Sequence, residues 1–171
     1  ALALFSTMPR LRLAPGAVSC NAAMSACEKV GWWPLALTIL AAMPGLRNVP
    51  DVISCSAVVS ACEKEGQWQL ALAALAAMPS FRVTLDTISC NAAVSACAKG
   101  GQWQLALALL ASMPGLGLVP DVVSFNAAMS ACERSGQWQW ALALLGAMRG
   151  LHATPDVLTY CAAVSACEKR G

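Results

Sequence analysis

The chain has 171 residues, 58% of them hydrophobic, 12% charged and 6% aromatic, with 11 basic and 9 acidic side chains for a net charge of +2. Hydrophobic content this high excludes a disordered, solvating tail, and so small a net charge does not by itself argue for a polyanionic partner. A membrane span is not expected, because the longest apolar runs, such as Leu70 to Met78 and Ala141 to Met148, are 8 or 9 residues and a span needs about 20.

Residues 1–16 already carry the clue to the rest, since they match the end of a unit that recurs along the whole chain. The period is 35 without a slip. Full units occupy 17–51, 52–86, 87–121 and 122–156, and residues 157–171 match the start of another. Units 52–86 and 87–121 share 22 of 35 residues. A period of this length implies a stack of supersecondary units. It also explains the nine cysteines, an odd number in which Cys20, Cys55 and Cys90 stand 35 apart, as do Cys27, Cys62, Cys97, Cys132 and Cys167. Their count reflects duplication, and a disulfide framework is not expected.

Each unit reads as two helices. Ser19, Ser54, Ser89, Ser124 and Thr159, at the third position, are expected to be N-caps of the first helix. That helix runs through an Ala-rich stretch to Lys or Arg at the thirteenth position. Gly31, Gly66, Gly101 and Gly136 then suit a left-handed helix end. The second helix starts near the Gln-Trp-Gln strings 67–69, 102–104 and 137–139 and runs to Met43, Met78, Met113 and Met148. Pro44, Pro79 and Pro114 should forbid continuation, and the Pro-Asp pairs 50–51, 120–121 and 155–156 break the chain again before the next unit. Leu85 and Arg149 stand where other units have Pro, which puts the local turn geometry in question. Neither helix can bury its apolar face alone, so the units must stack. The trailing 157–171 is a lone first helix and the leading 1–16 a lone second one. With no polar capping repeat in view, head-to-tail self-association is an expectation.

The pattern x-V-S/T-x-N-x-x-x-S-A-C-E-K-x-G, then A-L-x-L-L-x-x-M, then P-D, resembles the pentatricopeptide repeat family. The strict 35-residue period is similar to its P subclass, and the likeness covers essentially the whole chain. The fold it implies is all-α, a right-handed superhelical solenoid of helix-turn-helix repeats with the first helices lining the concave face. The function it implies is binding of single-stranded RNA, one base per repeat. Its setting would be RNA processing, stabilisation or translation in a mitochondrion or chloroplast. The chain shows no targeting segment, and its lack of an initial Met is expected of a piece of a longer protein.

The family's base-reading residues occupy the fifth and thirty-fifth positions of a unit. Here these are Asn21 with Asp51, Ser56 with Asp86, Asn91 with Asp121, and Asn126 with Asp156. The family's rule assigns U to Asn/Asp and G to Ser/Asp, so the implied core is 5′-UGUU-3′. An Asn amide can answer both the acceptors and the N–H donor of uracil, and a carboxylate can accept from guanine N–H groups, directly or through water. Cys161 departs from the pattern, and no base is assigned to it. At the second position, Val18, Ile53, Ile88, Val123 and Leu158 would pack against the bases. At the thirteenth, Lys29, Lys64, Lys99, Arg134 and Lys169 would form a ladder of positive charge along the RNA backbone. The acidic residues beside them, Glu28, Glu63, Glu133 and Glu168, would then point elsewhere.

Each of these residues also admits a plainer role. The Asn, Ser and Asp side chains could be helix caps, and the basic residues a solvated face. Trp33, Trp68, Trp103 and Trp138 are expected to pack between repeats, and the methionines to fill the core. Cysteines seven apart on one helix face lie about 10 Å apart by helical rise, too far to share one zinc, so they read as small buried apolar residues. His152 has no constellation around it. No cofactor, metal or catalysis is expected. A protein-binding helical scaffold is the alternative function, distinguished by a weak response of binding to salt.

Overall fold

The structure, a computed structural model, describes residues 15–151 and 153–168. The leading segment 1–14, His152 and Lys169 lie outside the described residues, so the expected lone second helix at the start and the last rung of the basic ladder cannot be placed. The described residues form an all-helical stack of hairpins: α1 (Ala17–Val30), α2 (Trp33–Ala42), α3 (Val52–Lys64), α4 (Trp68–Ala77), α5 (Thr87–Lys99), α6 (Trp103–Ser112), α7 (Val122–Arg134), α8 (Trp138–Gly150) and α9 (Val157–Glu168). The first helices begin 35 residues apart throughout, at Ala17, Val52, Thr87, Val122 and Val157. Each first helix packs on the first helices of its neighbours and on the second helices before and after it.

The first helices start with an exchange of hydrogen bonds that corrects one expectation. From α3 onward the N-cap is the Asp at the end of the preceding unit, with Ser54 and Ser124 three residues inside the helix, while α1 has Gly16 at its N-cap and no side-chain cap bond, so Ser19 does not cap it. Asp51 accepts from the Ser54 N–H and Asp121 from the Ser124 N–H, while each Ser hydroxyl accepts from the Asp N–H, closing a capping box. Asp86 caps α5 through the Ser89 N–H. A carboxylate at this end also opposes the positive pole of the helix dipole, which favours Asp over the hydroxyl. The helix ends follow expectation. Gly31, Gly66, Gly101 and Gly136 take φ of 64–74°. The following N–H reaches back five residues in each case, from Trp32 to Cys27 O, Gln67 to Cys62 O, Gln102 to Cys97 O and Gln137 to Cys132 O, at 2.8–2.9 Å.

The prolines act less abruptly than expected. α2, α4 and α6 do end before or at the Met-Pro step, but the chain continues in a single tighter turn: Pro44–Leu46, Met78–Phe81 and Pro114–Leu116. Pro at the first position of such a turn lacks only an N–H that would be unsatisfied anyway. Where Arg149 replaces the Pro, α8 runs on to Gly150 and reaches 13 residues against 10 in the other second helices.

The core is built from small and soft side chains. Met24, Met43, Met78, Met113, Met129 and Met148 are fully buried among alanines, valines and seven of the cysteines. Trp33, Trp68, Trp103 and Trp138 pack, half-buried, against this core. Trp68 shows how closely: a Cβ added at Gly100 of the next unit would sit 2.2 Å from its Cδ1. Cys161 and Cys167 depart from the buried reading and are exposed, while the other seven are buried and all nine are free thiols. Desolvation pushes the Cys62, Cys97 and Cys132 thiols up to about 11, so they stay protonated at neutral pH.

Two outcomes follow from this packing. Gly100→Ala must displace an indole ring and should destabilise the chain by about 1–3 kcal/mol, read by thermal denaturation. A thiol-alkylating reagent at neutral pH should label Cys161 and Cys167 quickly and the remaining cysteines only on unfolding, as counted by mass spectrometry.

Candidate nucleic-acid interface

Stacking repeats brings the second and fifth positions of the first helices onto one surface. An open groove there is lined by Asn91, Val123, Asn126, Asp156 and Leu158, together with Glu63. Val18, Ile53, Ile88, Val123 and Leu158 are 58–84% exposed. Apolar side chains repeatedly left in water at the start of a helix have no role in the core.

The Asn and Asp side chains of a unit lie 30 residues apart in sequence and meet across the turn to the next repeat. Asn21 Nδ2 donates to Asp51 Oδ2 at 2.9 Å, Asn91 Nδ2 to Asp121 Oδ1 at 3.1 Å, and Asn126 Nδ2 to both Asp156 oxygens at 3.2 Å. The Asp therefore caps a helix and holds the Asn amide together. Ser56 is too short for this. Its hydroxyl donates back to Ile53 O at 3.2 Å, and no bond joins it to Asp86. Both the N–H and the hydroxyl of Ser89 use Asp86 Oδ1, so Oδ2 has no hydrogen-bond donor among the described residues. Asp121 Oδ2 is likewise without a donor, because Asn91 and Ser124 both use Oδ1; what sets Asp86 apart is that no Asn amide stands beside it.

Charge along the groove is less one-sided than the ladder suggested. Lys29, Lys64, Lys99 and Arg134 are all exposed, but two are engaged within the protein. Lys64 Nζ donates to Lys29 O at 3.0 Å, and Lys99 Nζ pairs with Glu63 Oε1 at 2.8 Å. Glu63 thus does not point away: it lines the groove and also accepts from Ser95 Oγ at 2.7 Å. Glu133 likewise accepts from Ser165 Oγ at 2.9 Å. Arg134 has no salt-bridge partner among the described residues, and Ala98 stands one unit earlier where Glu63 faces Lys99. The Lys99–Glu63 pair joins an exposed ammonium to a half-buried carboxylate. What sequence reasoning missed is the role of the third-position hydroxyls. The Asp-x-x-Ser/Thr spacing at 51/54, 86/89, 121/124 and 156/159 was the signal for it.

Among the described residues no group of three or more His, Cys, Asp or Glu could hold a metal, and no helix is long and apolar enough to cross a membrane. The aspartates have shifted acidities. For Asp51 and Asp121 burial raises the carboxyl, but bonds from the Ser54 or Ser124 N–H and from the Asn amide outweigh it, leaving both below the ordinary 3.8. Asp156 is exposed and lowered chiefly by the bond from the Thr159 N–H. A depressed folded value means that the caps contribute fully above the unfolded value and are lost as pH falls through the lower folded one. Helix content followed by circular dichroism should therefore hold from about pH 7 to about pH 4 and fall below that. Replacing Asp51 and Asp121 with Asn, which can still accept at a cap, should flatten the acid limb.

Comparison with known proteins agrees with this architecture. A family model described as the pentatricopeptide repeat domain matches residues 78–135 and 108–170, together more than half of the chain. The crystal structure of the pentatricopeptide repeat protein PPR10 from maize superposes with a TM-score of 0.79 at 26% identity, over 99% of this chain and 24% of that one. PPR10 in complex with an 18-nt psaJ RNA element gives 0.84 at 22% identity, over 97% and 24%. The PPR domain of Arabidopsis thaliana protein-only RNase P 1 in complex with tRNA gives 0.74 at 13% identity, over 86% and 78%. The chain thus spans about a quarter of the length of the maize protein. No curated protein sequence matches it significantly.

Proposed function

The chain belongs to the pentatricopeptide repeat family, and from that premise we propose that it binds single-stranded RNA, each full unit reading one base. The observation that carries this reading is the groove in which Asn91, Asn126 and Asp156 stand beside the exposed Val123 and Leu158. Polar groups that can recognise a base edge lie next to apolar ones that can cover a base face, at the spacing of the repeat. The relatives with RNA in their crystals, PPR10 and protein-only RNase P 1, support the same partner.

In this reading Asn21, Asn91 and Asn126 each turn an amide toward uracil. Ser56 leaves room for guanine, whose N–H groups reach the open Oδ2 of Asp86. The core is 5′-UGUU-3′. Val18, Ile53, Ile88, Val123 and Leu158 pack against the bases, and Lys29, Lys64, Lys99, Arg134 and Lys169 face the phosphates. Binding is itself the action: occupying a stretch of RNA blocks nucleases or holds the strand unpaired, in keeping with RNA processing, stabilisation or translation in a mitochondrion or chloroplast. No residue in this reading acts as a catalyst.

The test is a titration of the wild type and Ser56→Asn against short RNAs containing UGUU and UUUU, repeated at rising salt. The substitution should move the preference at the second nucleotide from G to U by about 1–3 kcal/mol, by analogy with single mismatches at protein–DNA sites. Affinity should fall steeply with salt as counterions are released. Identical ranking of the two RNAs by both proteins would show that the fifth position reads nothing here. RNA affinity that salt leaves unchanged would favour the protein-binding scaffold.

A further inference from the structure

Three full units carry the same Asn and Asp, yet the bonds around the Asn amide differ among them. In the unit 87–121 they close a ring. The Asp121 N–H donates to Ser124 Oγ at 3.1 Å, the Ser124 hydroxyl donates to Asn91 Oδ1 at 2.5 Å, and Asn91 Nδ2 donates to Asp121 Oδ1 at 3.1 Å. The unit 122–156 repeats it through Thr159, which accepts from the Asp156 N–H at 3.1 Å and donates to Asn126 Oδ1 at 2.6 Å. In the unit 17–51 the ring is open. The Ser54 hydroxyl donates to Asp51 O at 2.8 Å, and Asn21 Oδ1 is buried with no partner.

The donor and acceptor inventory decides what a closed ring does. A carboxylate only accepts, so the Asn atom beside Asp121 must be the NH2 group. The other amide atom is then the oxygen, and it faces a hydroxyl. Ser124 Oγ also lies 2.9 Å from Asp121 Oδ1, but giving its single proton there would leave two oxygens 2.5 Å apart with no hydrogen between them. The proton therefore goes to Asn91. Turning the amide over would break both of its bonds at once and set its oxygen against a carboxylate. Ser124 and Thr159 are fully buried, so water does not substitute for the hydroxyl.

We propose that Ser124 and Thr159 are positioning residues that lock the Asn91 and Asn126 amides. This makes the third and fourth units stricter for uracil over cytosine than the first. The inference rests on the base-reading function above. A locked amide keeps its remaining Nδ2 proton turned toward the base. Uracil offers a carbonyl there and cytosine an amino donor, which it repels. The Asn21 amide is held by Asp51 alone, so turning over to meet cytosine with its oxygen costs it one bond where Asn91 and Asn126 would lose the hydroxyl bond as well.

The experiment compares a short RNA containing UGUU with its single U-to-C changes at nucleotides one, three and four. Wild type should lose more affinity from the changes at three and four than from the change at one. Ser124→Ala should lower the U-over-C ratio at nucleotide three by roughly threefold to tenfold, the worth of one hydrogen bond, and leave the other ratios alone. Ser124→Thr should restore it. Ser54→Ala, which also removes a capping hydroxyl, should leave the ratio at nucleotide one unchanged, and Thr159→Val probes the fourth unit with little change of shape. Thermal melts confirm that each variant is folded. If Ser124→Ala weakens the U and C forms by the same factor, the hydroxyl only holds the helix and the inference is overturned. A wild type with no U-over-C preference at any position would overturn base reading itself, and this inference with it.

Discussion

At the junctions that follow the four full units an Asp carboxylate sits where three requirements meet. It must satisfy the first free N–H groups of the next helix, oppose the positive pole of that helix and, in three units of four, hold the amide of an Asn 30 residues earlier. Helices of 10 to 14 residues are marginal alone, and these have little to pack with except their neighbours. The junction therefore ties helix formation to repeat stacking. Because the same carboxylate orients the Asn, the forces that build the scaffold also set the chemistry of its surface. Ser56 shows the converse. With no Asn amide beside it, Asp86 still caps its helix through Ser89.

The core makes this economy possible. Ala, Val and Cys let the helices approach closely, and methionine fills the irregular gaps between them. Trp68 fits against Gly100, where any larger residue would collide with the ring. The polar positions of the first helix are thereby released from packing, and the second and fifth positions stay available on the groove. The same release leaves Val18, Ile53 and their counterparts in water, a cost the fold accepts at every unit.

Charge is arranged by the same repetition. Glu63 and Lys99 come from successive units and meet because a 35-residue step brings the end of one first helix beside the end of the next. Ala98 breaks that alternation and leaves Arg134 without a carboxylate. The groove therefore carries basic side chains of unequal availability, although they stand in register in the sequence.

How much was legible without coordinates follows from the reach of each interaction. The 35-residue period, the two helices per unit, the glycine helix ends and the burial of the methionines depend on local conformation and on apolar patterning, both written in short stretches. At Arg149 the sequence only put the turn in question, and the structure shows the helix running on past Met148 to Gly150. The N-cap was misplaced by three residues because Asp and Ser compete for the same role, and only the backbone geometry shows that Asp takes the end while Ser answers from inside. The tertiary structure alone decided the rest. Glu63 turned into the groove because Lys99 and Ser95 of the next unit draw it there. Two Asn amides became enclosed by bonds on both sides, and a third did not, although Asn21, Asn91 and Asn126 occupy identical positions in the repeat. Contacts between residues 30 to 35 apart set those differences, and a hydroxyl proton that can turn to either of two acceptors chooses by three-dimensional geometry, which a repeat pattern does not encode.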